Sequence, residues 1–224
     1  MPARTAESRR GGAPAPAAGA PRESRSTRRR RETRGRLLAA GARLLRARGV
    51  EGVTVQDVTE AADVGLGTFY LHFGGKSELV AAVIAGLVEA HDAEVRARVS
   101  HLGDPAAELA GALRLTIPRI ARDPLWTWYV LRSGVPMQRL REAFGADATR
   151  DVLRGVEAGR FRVSDLATFA GFLAGAVVGV VADLEAGLVG PGAEEAAAEL
   201  VLRTLGVEPE EAARLARLPL GPGD

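Results

Sequence analysis

Side chains able to hold an anion concentrate between residues 54 and 76. Thr54, Thr68 and Tyr70 offer hydroxyls, His72 an imidazole, and Lys76 is the only lysine of the chain. Phe69 and Phe73 are spaced i, i+4, so on a helix they share one face and turn inward. Thr68, Tyr70, Leu71 and His72 then point elsewhere. A face with hydroxyls, an imidazole and little bulk suits a phosphate-lined groove. Thr54 and Lys76 each stand at a helix start, where free backbone N–H groups favour phosphate. The same residues also fit a small helical hairpin with a polar, solvated face.

Other chemistry finds no comparable foothold. Cysteine is absent, so no thiolate nucleophile, disulfide framework or cysteine metal site is available. Gly65-Leu66-Gly67 lacks the third glycine of a dinucleotide loop, because Tyr70 occupies its place, and no strand precedes it. There is no Gly-x-Ser-x-Gly elbow. His91 and His101 are ten residues apart and no His-x-x-x-His pair occurs. The expectation is no enzyme, no metal and no cofactor.

The elements that must position these residues are helices throughout. Leu37, Leu38, Gly41, Leu44 and Leu45 form an apolar stripe from Thr33 onward, which Gly49 stops. Thr54, with Asp57 three residues on, caps a second short helix. Asp63 sits at the break in a position that tolerates a left-handed backbone. Gly65-Leu66-Gly67-Thr68 opens a third helix, Gly74-Gly75 ends it, and Lys76-Ser77-Glu78 starts a fourth that runs to about Val99. Two short helices joined by a tight turn and preceded by a longer one make a helix-turn-helix unit. Further helices are expected over 105–121, 124–132, 136–157, 165–188, 193–205 and 208–217, with a kink at Pro118. No stretch alternates as a strand does, so the fold class is all-α.

Charge is divided along the chain. Residues 1–36 hold 11 of the 30 basic side chains and three of the 28 acidic ones, a net +8 that leaves −6 for the remainder. A basic front on an acidic body suits a nucleic-acid partner, although a solvated tail has the same composition. Residues 1–30 are expected to be a disordered basic tail, rich in Ala, Pro, Gly and Arg without an apolar period. No apolar h-region marks a signal peptide.

The run Gly49-Val50-Glu51-Gly52-Val53-Thr54-Val55-Gln56-Asp57-Val58, with Ala61 to Phe73 and Lys76-Ser77-Glu78-Leu79, resembles the DNA-binding domain of TetR (tetracycline-repressor) family regulators. The likeness covers about residues 31–91. It implies that Thr54, Tyr70, His72 and Lys76 hold phosphates, and that Gln56, Leu66, Gly67, Thr68 and Leu71 face base edges. The family often has Ser at the Gly65 position, a basic residue at the Leu66 position and Gly at the Asp63 position. Leu66 offers only apolar contact, for example to a thymine methyl. The arginines at 28–31, directly before the first expected helix, would follow the minor groove or attract phosphate without specificity.

Two features of residues 92–224 remain. Leu166 to Ala182 is 17 residues without a charge, with Gly171, Gly175 and Gly179 at i, i+4, i+8. That is short for a membrane span, which needs about 20 apolar residues. The expectation is a buried helix or a homodimer interface through Gly171, Gly175, Val178 and Gly179. Both tryptophans lie in the segment from Leu125 to Arg132. Such a cluster is either core or the wall of an effector cavity, which the resemblance places among the middle helices. Trp126, Tyr129 and Val130 share a face and are the expected lining, with Arg132 as a polar group and Trp128 as packing. The whole reads as a cytoplasmic, homodimeric regulator that binds a palindromic double-stranded operator and is released by a small-molecule effector. A DNA-binding regulator without an effector stays open, as does a helical enzyme or membrane-associated protein.

Overall fold

The computed structural model describes residues 24–221, leaving aside the side chains of 142–148. Ten α-helices run in chain order: α1 Arg25–Arg48, α2 Val55–Ala61, α3 Leu66–Tyr70, α4 Lys76–Val99, α5 Pro105–Arg122, α6 Pro124–Thr127, α7 Met137–Glu157, α8 Leu166–Glu185, α9 Ala193–Thr204 and α10 Pro209–Leu215. The described residues contain no strand.

Two corrections fall at the front of the chain. Residues 1–23 of the expected tail lie outside the described residues, but from Arg25 the chain is already helical. Ser24 caps this extension by accepting from the Thr27 N–H, and Arg28 pairs with Glu32 one turn on. Such caps and i, i+4 pairs hold a helix without an apolar stripe. The stripe at Leu37 therefore marks where α1 becomes buried, not where it starts. Arginines 28–31 belong to its exposed first turns and are not an arm.

Two apolar cores follow. Leu37, Leu44, Leu45, Val58, Phe69 and Phe73 make the first with the start of α4, through Leu79, Val83 and Ile84. Gly41 lets α1 and α4 approach closely, since a Cβ there would stand 3.2 Å from the Leu79 side chain. The second core joins α5, α9 and α10 through residues such as Leu109, Ile117, Val201, Leu202 and Leu215. Gly155 receives the Phe161 ring so closely that a Cβ would clash with it. Arg160 then bridges Asp104 and Glu211, tying the start of α5 to α10.

α4 belongs to both cores. At 1.5 Å per residue its 24 residues span about 36 Å, and Leu87 and Val88 touch both clusters. The aromatic segment makes a second connection. Leu125 is buried in the first core and Trp126 in the second, while Tyr129 packs against both. Pro118 is accommodated inside α5.

α8, expected as a buried helix or a homodimer interface, is covered on one side only. It is 20 residues long and, by length and composition alone, apolar enough to cross a membrane. Only Leu173 and Val181 are fully buried. One side packs on α5, α7 and α9, and the other leaves Phe172, Gly175 and Gly179 exposed.

Candidate nucleic-acid interface

The recognition surface rests on two buried rings. Phe69 and Phe73 are 0% and 1% exposed, which turns Leu66, Tyr70 and Leu71 outward at 52%, 56% and 71%. Large apolar side chains this exposed on so short a helix point to contact with another molecule. Gly67 lies between them with open space where a Cβ would stand. Gln56 on α2 is also exposed, its amide donating to Glu60.

The supports of α2 and α3 are local. Thr54 forms a complete capping box with Asp57, and Arg48 pairs with the same carboxylate at 3.1 Å. The hydroxyl and backbone of Thr54, together with Arg48, hold the Asp57 carboxyl below its ordinary range against a smaller effect of burial. Asp63 takes a φ of 52° and lets the chain reverse between the two helices. Lys76 is committed inward: its Nζ donates to the carbonyls of Val50 and Val53 at 2.9 and 3.0 Å. Two of its three donors therefore pin the α1–α2 loop beneath the start of α4.

Arg30, from the run already expected to meet DNA, and two arginines that motif spacing did not single out, Arg34 and Arg36, complete the surface. Arg30 donates to the Leu71 carbonyl, Arg36 donates to the Asp63 carbonyl, and the Arg34 guanidinium lies 5.2 Å from the Phe73 ring centre. Three arginines of α1 thus flank the recognition helix with positive charge. His72 is half-buried beside them. Burial, then Arg30 and Arg34, lower its pKa, so its ring is neutral at pH 7. The spacing of Arg30 and Arg34, one helical turn apart, was the available signal; it is legible only once α1 is known to begin before them.

Behind this unit lies an internal cavity of about 110 Å³. Val95 and Val99 of α4, Leu113 of α5, Val152 of α7 and Phe169 and Val177 of α8 supply its apolar wall. Asp92, Arg96, Thr116, Thr149 and Asp151 supply polar groups. Of the residues expected to line it, only Val130 does. Trp126 instead packs edge-on against His91, with ring centres 5.5 Å apart. Tyr129 sits between the two cores, and Arg132 forms a surface ion pair with Glu185. The reason is local geometry: Trp128–Arg132 form a π-helical turn, closed by the Ser133 N–H donating to the Trp128 carbonyl. A wider turn takes Tyr129 to Arg132 off the regular helical period from which a shared face was expected.

The glycine face divides similarly. Gly175 and Gly179 have open space at the Cβ position, whereas Gly171 has the Arg141 guanidinium 3.8 Å away. Val178 turns inward and lines the cavity. It sits about 100° around the helix from Gly179, enough to change sides. Phe172, three residues before Gly175 on the same side of α8, is more than half exposed and extends the open face.

A helix-turn-helix unit with an exposed, arginine-flanked recognition helix, carried on an all-helical body, defines the class of DNA-binding regulators. Residues 37–83 match the bacterial regulatory proteins of the tetR family, and residues 104–218 match the tetracyclin repressor-like C-terminal domain. The chain belongs to the TetR family of bacterial regulatory proteins. Over 69 residues, 31% of this chain, it is 42% identical to the HTH-type transcriptional regulator TtgR of Pseudomonas putida. Over 90 residues, 40% of this chain, it is 32% identical to the HTH-type transcriptional regulator TcmR of Streptomyces glaucescens. These matches span 33% and 39% of those proteins, about a third of their length. The crystal structure of RolR with its ligand resorcinol superposes with a TM-score of 0.74 at 30% identity, covering 86% of this chain and 97% of that one.

Proposed function

We propose that the protein is a cytoplasmic, homodimeric repressor that binds a palindromic operator and is released by a small, single-ring effector. The observation that carries this reading is the double duty of α4. Its first turns are buried with α1 in the DNA-binding core through Leu79, Val83 and Ile84. Asp92, Val95, Arg96 and Val99, farther along the same helix, wall the cavity. A ligand that displaces this wall must move a helix fixed at its other end to the recognition unit. In a dimer, two recognition helices must match half-sites about 34 Å apart, so a small shift of α4 weakens both half-sites together.

Thr54, Tyr70, His72 and the α1 arginines would meet phosphates. Gln56, Leu66, Gly67, Thr68 and Leu71 would meet base edges. Lys76 would act by holding the loop beneath α4 and presenting its remaining donor. The second copy would cover Phe172, Gly175 and Gly179, whose small and apolar side chains form an uncharged strip. The opposite side of α8 packs on three helices and lines the cavity, which supports a dimer face over a membrane span.

The effector class follows from size and polarity. An apolar cavity of about 150 Å³ holds benzene, so one of about 110 Å³ limits the occupant to a single ring or a compact aliphatic body. Asp92, Thr116 and Asp151 offer hydrogen bonds to hydroxyl groups. The resorcinol of the RolR structure, one ring with two hydroxyls, is of this class. The test is genomic selection of bound fragments, followed by titration of mono- and dihydroxybenzenes against the selected duplex. Release should occur over the same concentrations that change the emission of Trp126 and Trp128, because coupling between two sites is reciprocal. No enriched palindrome would defeat the operator reading. Failure of every ring compound to release DNA would defeat the effector class.

A further inference from the structure

We propose that the chain carries a second ligand site, a basic cleft on the other side of the α4–α5 pair from the cavity, which takes a small multivalent oxyanion such as a phosphate ester or a polycarboxylate. The two helices form a wall with two faces. Asp92, Val95 and Val99 of α4 and Leu113, Thr116 and Ile120 of α5 face the cavity. His91, Glu94 and Arg98 of α4 and Arg114, Arg119 and Arg122 of α5 border an open cleft of about 600 Å³. Arg46, from the far end of α1, completes it.

The charge in this cleft runs against the charge of its surroundings. Five arginines face Glu94, Asp123 and Glu194, within a stretch, residues 37–224, whose net charge is −6. Arg46 pairs with Asp123 at 2.9 Å, and Arg114 with Glu195 at 3.6 Å and with the Leu218 carbonyl. Arg119 and Arg122 are exposed and form no ion pair among the described residues. Guanidinium groups at such a rim match oxyanions through paired N–H donors.

A buried group on the cleft wall points the same way. The His91 ring is 5% exposed, and its Nε2 lies 2.9 Å from the Thr116 hydroxyl. Its Nδ1 is buried without a hydrogen-bond partner, a condition that native interiors seldom leave unanswered. Burial first, and Arg119 next among the lowering influences, keep the ring neutral against the pull of Glu94. When Nε2 accepts from Thr116, Nδ1 carries the hydrogen and becomes a donor for an oxyanion once a bound anion opens the cleft wall over it.

The DNA backbone is not the occupant. His91 lies 15 residues along α4 from Lys76, about 22 Å from the recognition end at 1.5 Å per residue. The site does bear on DNA binding. An anion competing with Asp123 for Arg46 would loosen the tie between α1 and the cap of α6, where Asp123 accepts from the Leu125 N–H. Thr116 joins the cleft to the cavity wall through His91, so occupancy on one side alters the other.

Calorimetric titration of the full chain with inorganic pyrophosphate, at ionic strength matched with sodium chloride, tests the site. We expect one saturable event per chain with Kd below about 1 mM. The double variant Arg119→Gln/Arg122→Gln should weaken it at least tenfold, with an unchanged thermal midpoint. Arg203→Gln/Arg214→Gln, exposed arginines of α9 and α10 outside the cleft, should leave it unchanged. Nitrogen NMR of labelled histidine should show the His91 Nδ1 resonance moving along the same isotherm. Heat no greater than the chloride control, or binding that survives the Arg119/Arg122 variant, overturns the proposal. Release of DNA by ring compounds is scored separately, so either reading can fail while the other stands.

Discussion

Two of the surfaces that expose large apolar side chains differ in what surrounds them. On α3, Leu66, Tyr70 and Leu71 stand among Arg30, Arg34 and Arg36. On α8, Phe172 stands on the same face as Gly175 and Gly179, with no charged residue between Leu166 and Ala182. Apolar exposure alone marks each as a contact surface. On the proposed reading the flanking charge separates the partners: a polyanion for the first, and an equally apolar, uncharged surface for the second. A C2 interface is self-complementary, which a strip of glycine and alanine satisfies by letting two helices approach closely.

The largest effect expected from breaking this contrast is at Gly175. Gly175→Leu puts a branched side chain into the middle of the strip, and dimerisation should weaken by about a hundredfold or more, since overpacking of a close approach typically costs about 1–3 kcal/mol in each subunit. Light scattering at micromolar concentration reads it directly. A wild-type chain that is already monomeric there removes the second surface from the comparison.

Next in size are the charged surroundings of α3. Tyr70→Ala and Arg34→Ala should each weaken binding to any duplex by roughly tenfold, and removing one phosphate partner should reduce the salt slope by about one. Lys76→Ala should act differently. It frees the Val50 and Val53 carbonyls, so weaker binding should accompany a lower thermal midpoint, about 1–3 kcal/mol for the unpaired groups. Weaker binding with no change in stability would return Lys76 to a purely phosphate-holding role.

A smaller effect sharpens the contrast within α3. Leu66→Ala should leave total affinity within a few fold while relaxing preference at one base pair, a discrimination of about 1 kcal/mol at an apolar contact. Selection with random duplexes measures it. Unchanged preference at every position would move Leu66 out of the reading face.

The mildest perturbation leaves both surfaces in place and loosens the body beneath them. Burial raises the Asp104 pKa, but the hydrogen bonds and charge of Arg160 outweigh it and hold the carboxyl below its usual range; Arg160 lowers Glu211 as well. A carboxyl with a lowered folded pKa stabilises the fold above its unfolded value, about 4, and loses that contribution as pH falls through the folded one. Arg160→Gln should therefore flatten the loss of stability below about pH 4, with little effect on DNA affinity at neutral pH. Thermal scans across that range check it. An acid profile identical to wild type would show that this bridge does not link α5 to α10 in solution.

The helix-turn-helix unit was legible because its determinants are local. Thr54 and Asp57 are three residues apart, Phe69 and Phe73 four, and Asp63 acts on its own backbone. Cap geometry, helical period and positive φ depend on near neighbours, so spacing alone carried them. The all-α class and the bounds of α4 followed from the same rules. Beyond α4 those rules still marked helices but not their partners. Leu166 to Ala182 revealed an apolar helix, yet which side would be covered depended on α5, α7 and α9, contributed from elsewhere in the chain. That is why Val178 went inward while Gly175 stayed open. Of the aromatic segment only Val130 meets the cavity, and a π turn, invisible to a regular helical period, runs through that segment. Only tertiary structure brought Arg46, His91 and Arg119 to one cleft and Asp92, Thr116 and Asp151 to one cavity, since each site draws on helices far apart in the chain. Sequence by itself determined the elements and the DNA-binding unit, whose contacts close over a few residues. The cavity, the basic cleft and the open face of α8, where ligands and a second copy are proposed to bind, were decided by packing between distant helices.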